Sequence, residues 1–146
     1  MEETIIKLEK YLNCIESYFI NSNNTDITFK TSNNKWSKKE ILGHLIDSGI
    51  NNYQRFTEIQ FESKPYLIRE YNQDALVKAN NYQNAELIEL IGLWLSINQR
   101  IIKIMWMQTE NTLNYKVEID NKFYDLRFLM IDYVDHLKHH INQIMN

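Results

Sequence analysis

Apolar residues along the chain recur mostly at three- and four-residue intervals, the spacing that places side chains on one face of a helix. Ile5, Leu8, Leu12, Ile15 and Phe19 form the first stripe and predict a helix from about Glu3 to Ile20. The Asn-rich stretch from Asn21 to Asn34 is expected to be a loop, because Asn and Ser side chains compete for backbone hydrogen bonds. Ser37 and Glu40 have capping-box spacing and predict the start of a second helix, with Trp36 ahead of the cap as a staple against Ile41. Its stripe is Leu42, Leu45, Gly49, Tyr53, Phe56 and Ile59, ending near Phe61, and Pro65 prevents further continuation.

Residues 62–84 read as a long connection holding a short helix near Asp74 to Ala79, and connections of this length often cover a site. Asn84 is the expected cap of a third long helix, whose stripe is Leu87, Leu90, Ile91, Trp94, Ile101 and Met105. It ends near Met107. Residues 112–124 then approach a period of two, through Thr112, Tyr115, Val117 and Ile119. Asp120-Asn121 can turn the chain and Lys122-Phe123-Tyr124 can return it, which predicts a small hairpin. Asp125 caps a last helix running to about Ile144, with Leu126, Met130, Tyr133, Leu137, Ile141 and Ile144 as its stripe. Four striped helices predict an all-α four-helix bundle with a small hairpin before the last helix. The two long connections permit a crossover order.

Composition narrows this picture. The 146 residues are expected to form one domain, 1–146, and include only three glycines and one proline, too few for a turn-rich β fold. Net charge is −3, and Lys and Arg are scattered among acids, which argues against a nucleic-acid partner. No apolar run approaches membrane-spanning length, so no membrane partner is expected. The acidic start Met1-Glu2-Glu3 and the lone Cys14 together give a cytoplasmic expectation.

Chemistry concentrates in the histidines. On the last helix, His140 lies about 60° and His136 about 100° from the centre of the apolar stripe, on the same flank. They are four residues apart, so their rings stand one turn apart and can face one ion. His139 falls toward the solvent side, beside Asp135. A third ligand must come from another helix, and His44 is the histidine that remains, at the edge of the second helix's stripe. Gly43 and Gly49 near it predict close packing. Imidazole suits zinc, nickel, copper and iron. Three protein ligands with an open position describe a catalytic site of the zinc type, able to take water, a thiolate or another anion. A His-x-x-x-His pair on a surface helix is also common by chance, and spacing alone favours that plainer reading.

Several runs resemble the DinB/YfiT-like superfamily. They are Trp36-Ser37, then Glu40-Ile41-Leu42-Gly43-His44-Leu45-Ile46-Asp47, then Arg55-Phe56. Tyr71-Asn72-Gln73-Asp74, Asn80-Asn81-Tyr82, Leu90 to Trp94 with Asn98, and Asp132 to His140 extend the resemblance over nearly the whole chain. It implies an up-down-down-up bundle and a divalent metal, zinc or nickel, held by His44, His136 and His140. It also implies a homodimer and a small-molecule substrate. Some relatives are metal-dependent hydrolases and others use a low-molecular-weight thiol as transferases or isomerases.

Four further residues are candidates for orienting a ligand or binding substrate. Asp47 and Asp132 each lie one turn from a histidine and can accept from an imidazole N–H, unless they are simply solvated. Asn51 and Arg55 follow His44 at seven and eleven residues; Arg55 can clamp a carboxylate or phosphate, or pair with Glu58 or Glu62. No Glu separates His136 from His140, and no general base is evident, which disfavours peptide hydrolysis. A metal-dependent enzyme, a non-catalytic metal-binding bundle and a structural dimer all remain open at this level, with catalytic residues and substrate unassigned.

Overall fold

The computed structural model describes residues 1–146. Four long helices dominate: α1 (Glu2–Ile20), α3 (Lys38–Glu58), α5 (Leu87–Trp106) and α7 (Leu126–Met145). Every residue of the first and last predicted stripes is buried, and the two helices pack against each other along them. Helix α3 packs on α5 and α7, and α1 packs on the same two helices, so α1 and α3 lie across the core from one another. The order is up-down-down-up. Twenty-nine buried apolar residues make one continuous core, with Trp94, Tyr133, Phe19 and Phe56 its largest fully buried members.

Helix α3 begins with the capping box read from the sequence. Glu40 N–H donates to Ser37 Oγ at 3.1 Å, and Ser37 N–H donates to Glu40 Oε2 at 2.9 Å. The helix ends at Glu58 rather than Phe61, and Tyr53 is 37% exposed while Asn52 is buried in its place. Asp125 caps α7 as expected, accepting from Phe128 N–H at 2.9 Å. Asn84 does not cap α5. It ends a 3₁₀ turn (Tyr82–Asn84), and the capping position is Glu86, which gives no side-chain bond.

The Asn-rich stretch holds a short helix, α2 (Asn24–Thr28), started by Asn23, whose side chain accepts from Asp26 N–H. In the long connection, Asn72 does the same for α4 (Gln73–Ala79). Thr112 lies in a third short helix, α6 (Glu110–Leu113), instead of a strand. The hairpin is present as β2 (Lys116–Ile119) and β3 (Lys122–Asp125), and Asp120 and Asn121 turn it with positive φ of 50° and 61°. Asn and Asp tolerate that conformation better than most residues. A two-residue strand in the long connection, β1 (Tyr66–Leu67), pairs in parallel with β2, so the sheet has three strands in the order β1-β2-β3. No helix is long and apolar enough to cross a membrane.

Candidate metal centre

His44 sits in the first half of α3, where nine consecutive residues from Ile41 to Gly49 are all buried. This depth has a steric cause. A Cβ on Gly43 would lie 2.1 Å from the Tyr82 ring, so only glycine admits that ring against the helix. Tyr82 in turn holds the end of the long connection. Its hydroxyl donates to Asp47 Oδ1 at 2.7 Å, and Asn80 Nδ2 donates to the same oxygen at 2.9 Å. Beside Tyr82, Gln83 Oε1 accepts from Ser37 Oγ at 2.6 Å, joining the same segment to the start of α3.

His136 and His140 reach the same point from α7. Nε2 of His136 lies 3.3 Å from Nε2 of His44 and 3.1 Å from Nε2 of His140. All three donor atoms lie within 4.8 Å of one another. His44 is fully buried; His136 and His140 are half-buried. The Trp36 ring covers His44 with centroids 4.9 Å apart, so it lies on the histidine.

Metal–nitrogen bonds of about 2.0–2.1 Å in a tetrahedral ion place their nitrogens about 3.3 Å apart. The separations of His136 from His44 and from His140 match that requirement. Hydrogen bonding among the rings does not satisfy them. His140 Nδ1 lies 2.8 Å from Gln143 Oε1, an acceptor; a proton on that nitrogen makes this bond and leaves Nε2 a lone pair. His136 Nε2 then faces lone pairs on one or both sides, and His44 Nδ1 is buried without a partner. With one proton per neutral ring, the His44 Nδ1–H lacks an acceptor, or two lone pairs meet, or two N–H groups meet. A cation at the shared point turns all three lone pairs to use.

The rings stay neutral far into acid. Burial, followed by the neighbouring His140 and His136, brings His44 down to about 3. Burial, then His140 and His139, brings His136 down to about 4. Burial lowers His140 as well, against the opposing hydrogen bond to Gln143. Protons therefore compete weakly for these nitrogens at neutral pH.

A cleft of about 600 Å³ opens beside His136, lined among others by Ser48, Asn52, Arg55, Tyr71, Asp132 and Tyr133. Ile68, Ile119 and Leu129 give it apolar wall. A second cavity of about 470 Å³ reaches His140, Trp36 and Gln143, and Asp74 lines both.

The remaining sequence candidates separate. Arg55 lies in the first cleft and pairs with neither Glu58 nor Glu62. Its Nη2 donates to Arg69 O at 2.7 Å, and its guanidinium lies 5.5 Å from the Tyr71 ring centre. Asp132 lines the same cleft, its carboxyl pushed up by burial and by Asp135. Asp47 is buried and bonds Tyr82 and Asn80 rather than a histidine, and its Oδ2 has no partner. Burial raises its carboxyl. Asn51 turns back to the Asp47 carbonyl at 2.8 Å and lines a different cavity, which holds no histidine. His139 is exposed. Sequence reasoning missed Tyr71, Asp74, Tyr82 and Gln143 as neighbours of the site. For Gln143 a signal existed: it follows His140 by three residues and His139 by four, so it shares their helix face.

No family model and no curated protein matches the chain. Solved structures do. YfiT from Bacillus subtilis, described as a probable metal-dependent hydrolase with an unusual four-helix bundle topology, superposes with a TM-score of 0.88 at 20% identity, covering 99% of this chain and 83% of its own. The mycothiol-dependent maleylpyruvate isomerase gives 0.74 at 10% identity, over 98% of this chain but only 60% of that longer one. YjoA, a DinB-like protein from Bacillus subtilis, gives 0.68 at 15% identity, over 98% and 87%. The chain therefore has the DinB-like fold.

Proposed function

We propose that this chain binds one divalent ion, zinc or nickel, through Nε2 of His44, His136 and His140, and acts with it on a small molecule held in the adjoining cleft. The observation that carries this reading is the convergence of three Nε2 atoms from helices α3 and α7, with His136 3.3 Å from His44 and 3.1 Å from His140. Zinc sites with three protein ligands keep a fourth position open. When bound, such an ion supplies Lewis acidity and lowers the pKa of a water or thiol at that position. The two candidate reactions are hydrolysis and transfer of a low-molecular-weight thiol to an electrophile. Structures of the same fold are described as a probable metal-dependent hydrolase and a mycothiol-dependent isomerase, which supports that choice.

The residues of the chain supply the rest. Arg55 carries an unpaired, half-buried guanidinium into the cleft and is the group to bind a carboxylate or phosphate on the substrate. Asp132, raised above an ordinary aspartate, holds or accepts a proton beside His136. Ile68, Ile119 and Leu129 exclude water from that side.

Elemental analysis of tag-free protein tests the metal. Near-stoichiometric zinc or nickel, lost in His136→Ala, is expected; its absence after reconstitution overturns the reading. Thiol-dependent or hydrolytic turnover of an electrophile, abolished in His44→Ala, is expected next. Metal without turnover selects a second reading, a metal-holding bundle, which the absence of any carboxylate bonded to the three rings favours.

A further inference from the structure

The last turn of α7 carries a side chain that touches two histidines at once. Gln143 Oε1 lies 2.8 Å from Nδ1 of His140, and Gln143 Nε2 lies 3.1 Å from Nε2 of His139. The spacings of three and four residues bring all three onto one helix face. The His139 and His140 rings cross edge to face, with centroids 5.1 Å apart.

We infer that Gln143 is a positioning residue that fixes the tautomer of His140, with His139 setting the orientation of the Gln143 amide. This rests on the metal reading above for its purpose, but its chemistry can be tested without metal. The amide has one accepting end and one donating end. With Oε1 toward His140, that ring must carry its proton on Nδ1, and its Nε2 lone pair points at His136 and His44. The donating end then meets Nε2 of His139, which accepts when that ring carries its own proton on Nδ1. Reversing the amide would place N–H donors against His140 Nδ1. The proton would move to Nε2, where it would block the shared point. A neutral imidazole free in water favours the opposite tautomer, with its proton on Nε2, so the hydrogen bond selects the minor form. His139, outside the triad and exposed, thereby acquires a part in it.

The test compares wild type with Gln143→Leu, Gln143→Glu and His139→Leu; both positions are exposed, and circular dichroism checks that the helix content is retained. Nitrogen-15 correlation spectra of the metal-free proteins at pH 8 report which nitrogen of His140 is protonated. Nδ1 is expected in wild type and Gln143→Glu, which keeps the acceptor, and Nε2 in Gln143→Leu. Zinc titration is expected to show roughly 10- to 100-fold weaker binding for Gln143→Leu, the usual effect of losing a partner behind a metal-bound histidine. Gln143→Glu should recover most of that loss, and His139→Leu should fall between. An Nε2-protonated His140 in wild type overturns the inference, and so does an unchanged tautomer in Gln143→Leu. Should wild type bind no zinc, the metal reading fails by itself, and the metal-free spectra still decide what Gln143 does.

Discussion

Tyr133 and His136 lie one turn apart on α7, yet the polar groups around them are completed in opposite ways. The Tyr133 hydroxyl donates to Asn98 Oδ1 at 2.6 Å, and Asn98 Nδ2 donates to the Trp94 carbonyl at 2.9 Å. That pair closes on itself in the core, leaving only the Trp94 indole N–H without a partner nearby in the chain. At His136, three nitrogens of one kind face a common point, and no arrangement of their protons satisfies them. A buried polar group without a partner costs roughly 1–3 kcal/mol. The first cluster avoids most of that cost unaided, and the second avoids it only with something added. Burial and polarity are common to both; what separates structure from chemistry is whether the protein's own groups complete the set.

The largest expected effect breaks the second cluster alone. His136→Ala should weaken zinc on the order of 100- to 1,000-fold, as loss of one of three ligands implies, while Tyr133→Phe leaves zinc affinity within about twofold by calorimetry. Equal losses in the two variants would erase the distinction. Gly43→Ala comes next. Its methyl group meets the Tyr82 ring, so the ring and the Asp47 bond must shift; overpacking of this kind costs about 1–3 kcal/mol or somewhat more, read as a lower urea midpoint. Zinc binding should weaken with it if Tyr82 helps to set the depth of His44.

Tyr133→Phe should cost about 1–3 kcal/mol of stability by leaving Asn98 Oδ1 unpaired. Unchanged stability would show the closed pair to be dispensable. A pH dependence of the metal-free protein probes the histidine cluster alone. The unfolded chain protonates its histidines near 6.5, whereas His44 and His136 in the fold resist until about 3 and 4. The unfolded state therefore binds more protons between those limits, and stability must fall as pH drops from about 6.5 toward 4. Above that window these rings contribute no slope. His44→Ala should flatten the curve between pH 7 and 5, and an equally steep curve would mean that His44 titrates normally.

The bundle was legible wherever a helix buries one stripe. The stripes of α1 and α7 were read without error, and the Ser37–Glu40 and Asp125 caps lie within four residues of their partners. The histidine triad was legible for the same reason in part: the i, i+4 pair is local, and a third histidine was there to complete it. Features requiring distant contacts were not. Strand β1 is two residues long and exists through its pairing with β2. Asp47 was read as a partner of an imidazole because it follows His44 by three residues. The structure gives its Oδ1 to Tyr82 and Asn80, from a segment whose path no local pattern reveals. The Asn-rich stretch hid α2 because the residues that favour loops also start helices.

The small sheet divides the labour at the cleft. The nitrogen donors stand on α3 and α7, inside the bundle. Ile68 and Ile119, which wall the cleft beside them, stand next to β1 and at the end of β2, in two of the three segments that connect the long helices. Length and composition can drift in such connecting segments far more freely than in packed helices. A lineage carrying this scaffold can thus reshape what enters the cleft, insertion by insertion, while its three imidazoles stay where they are.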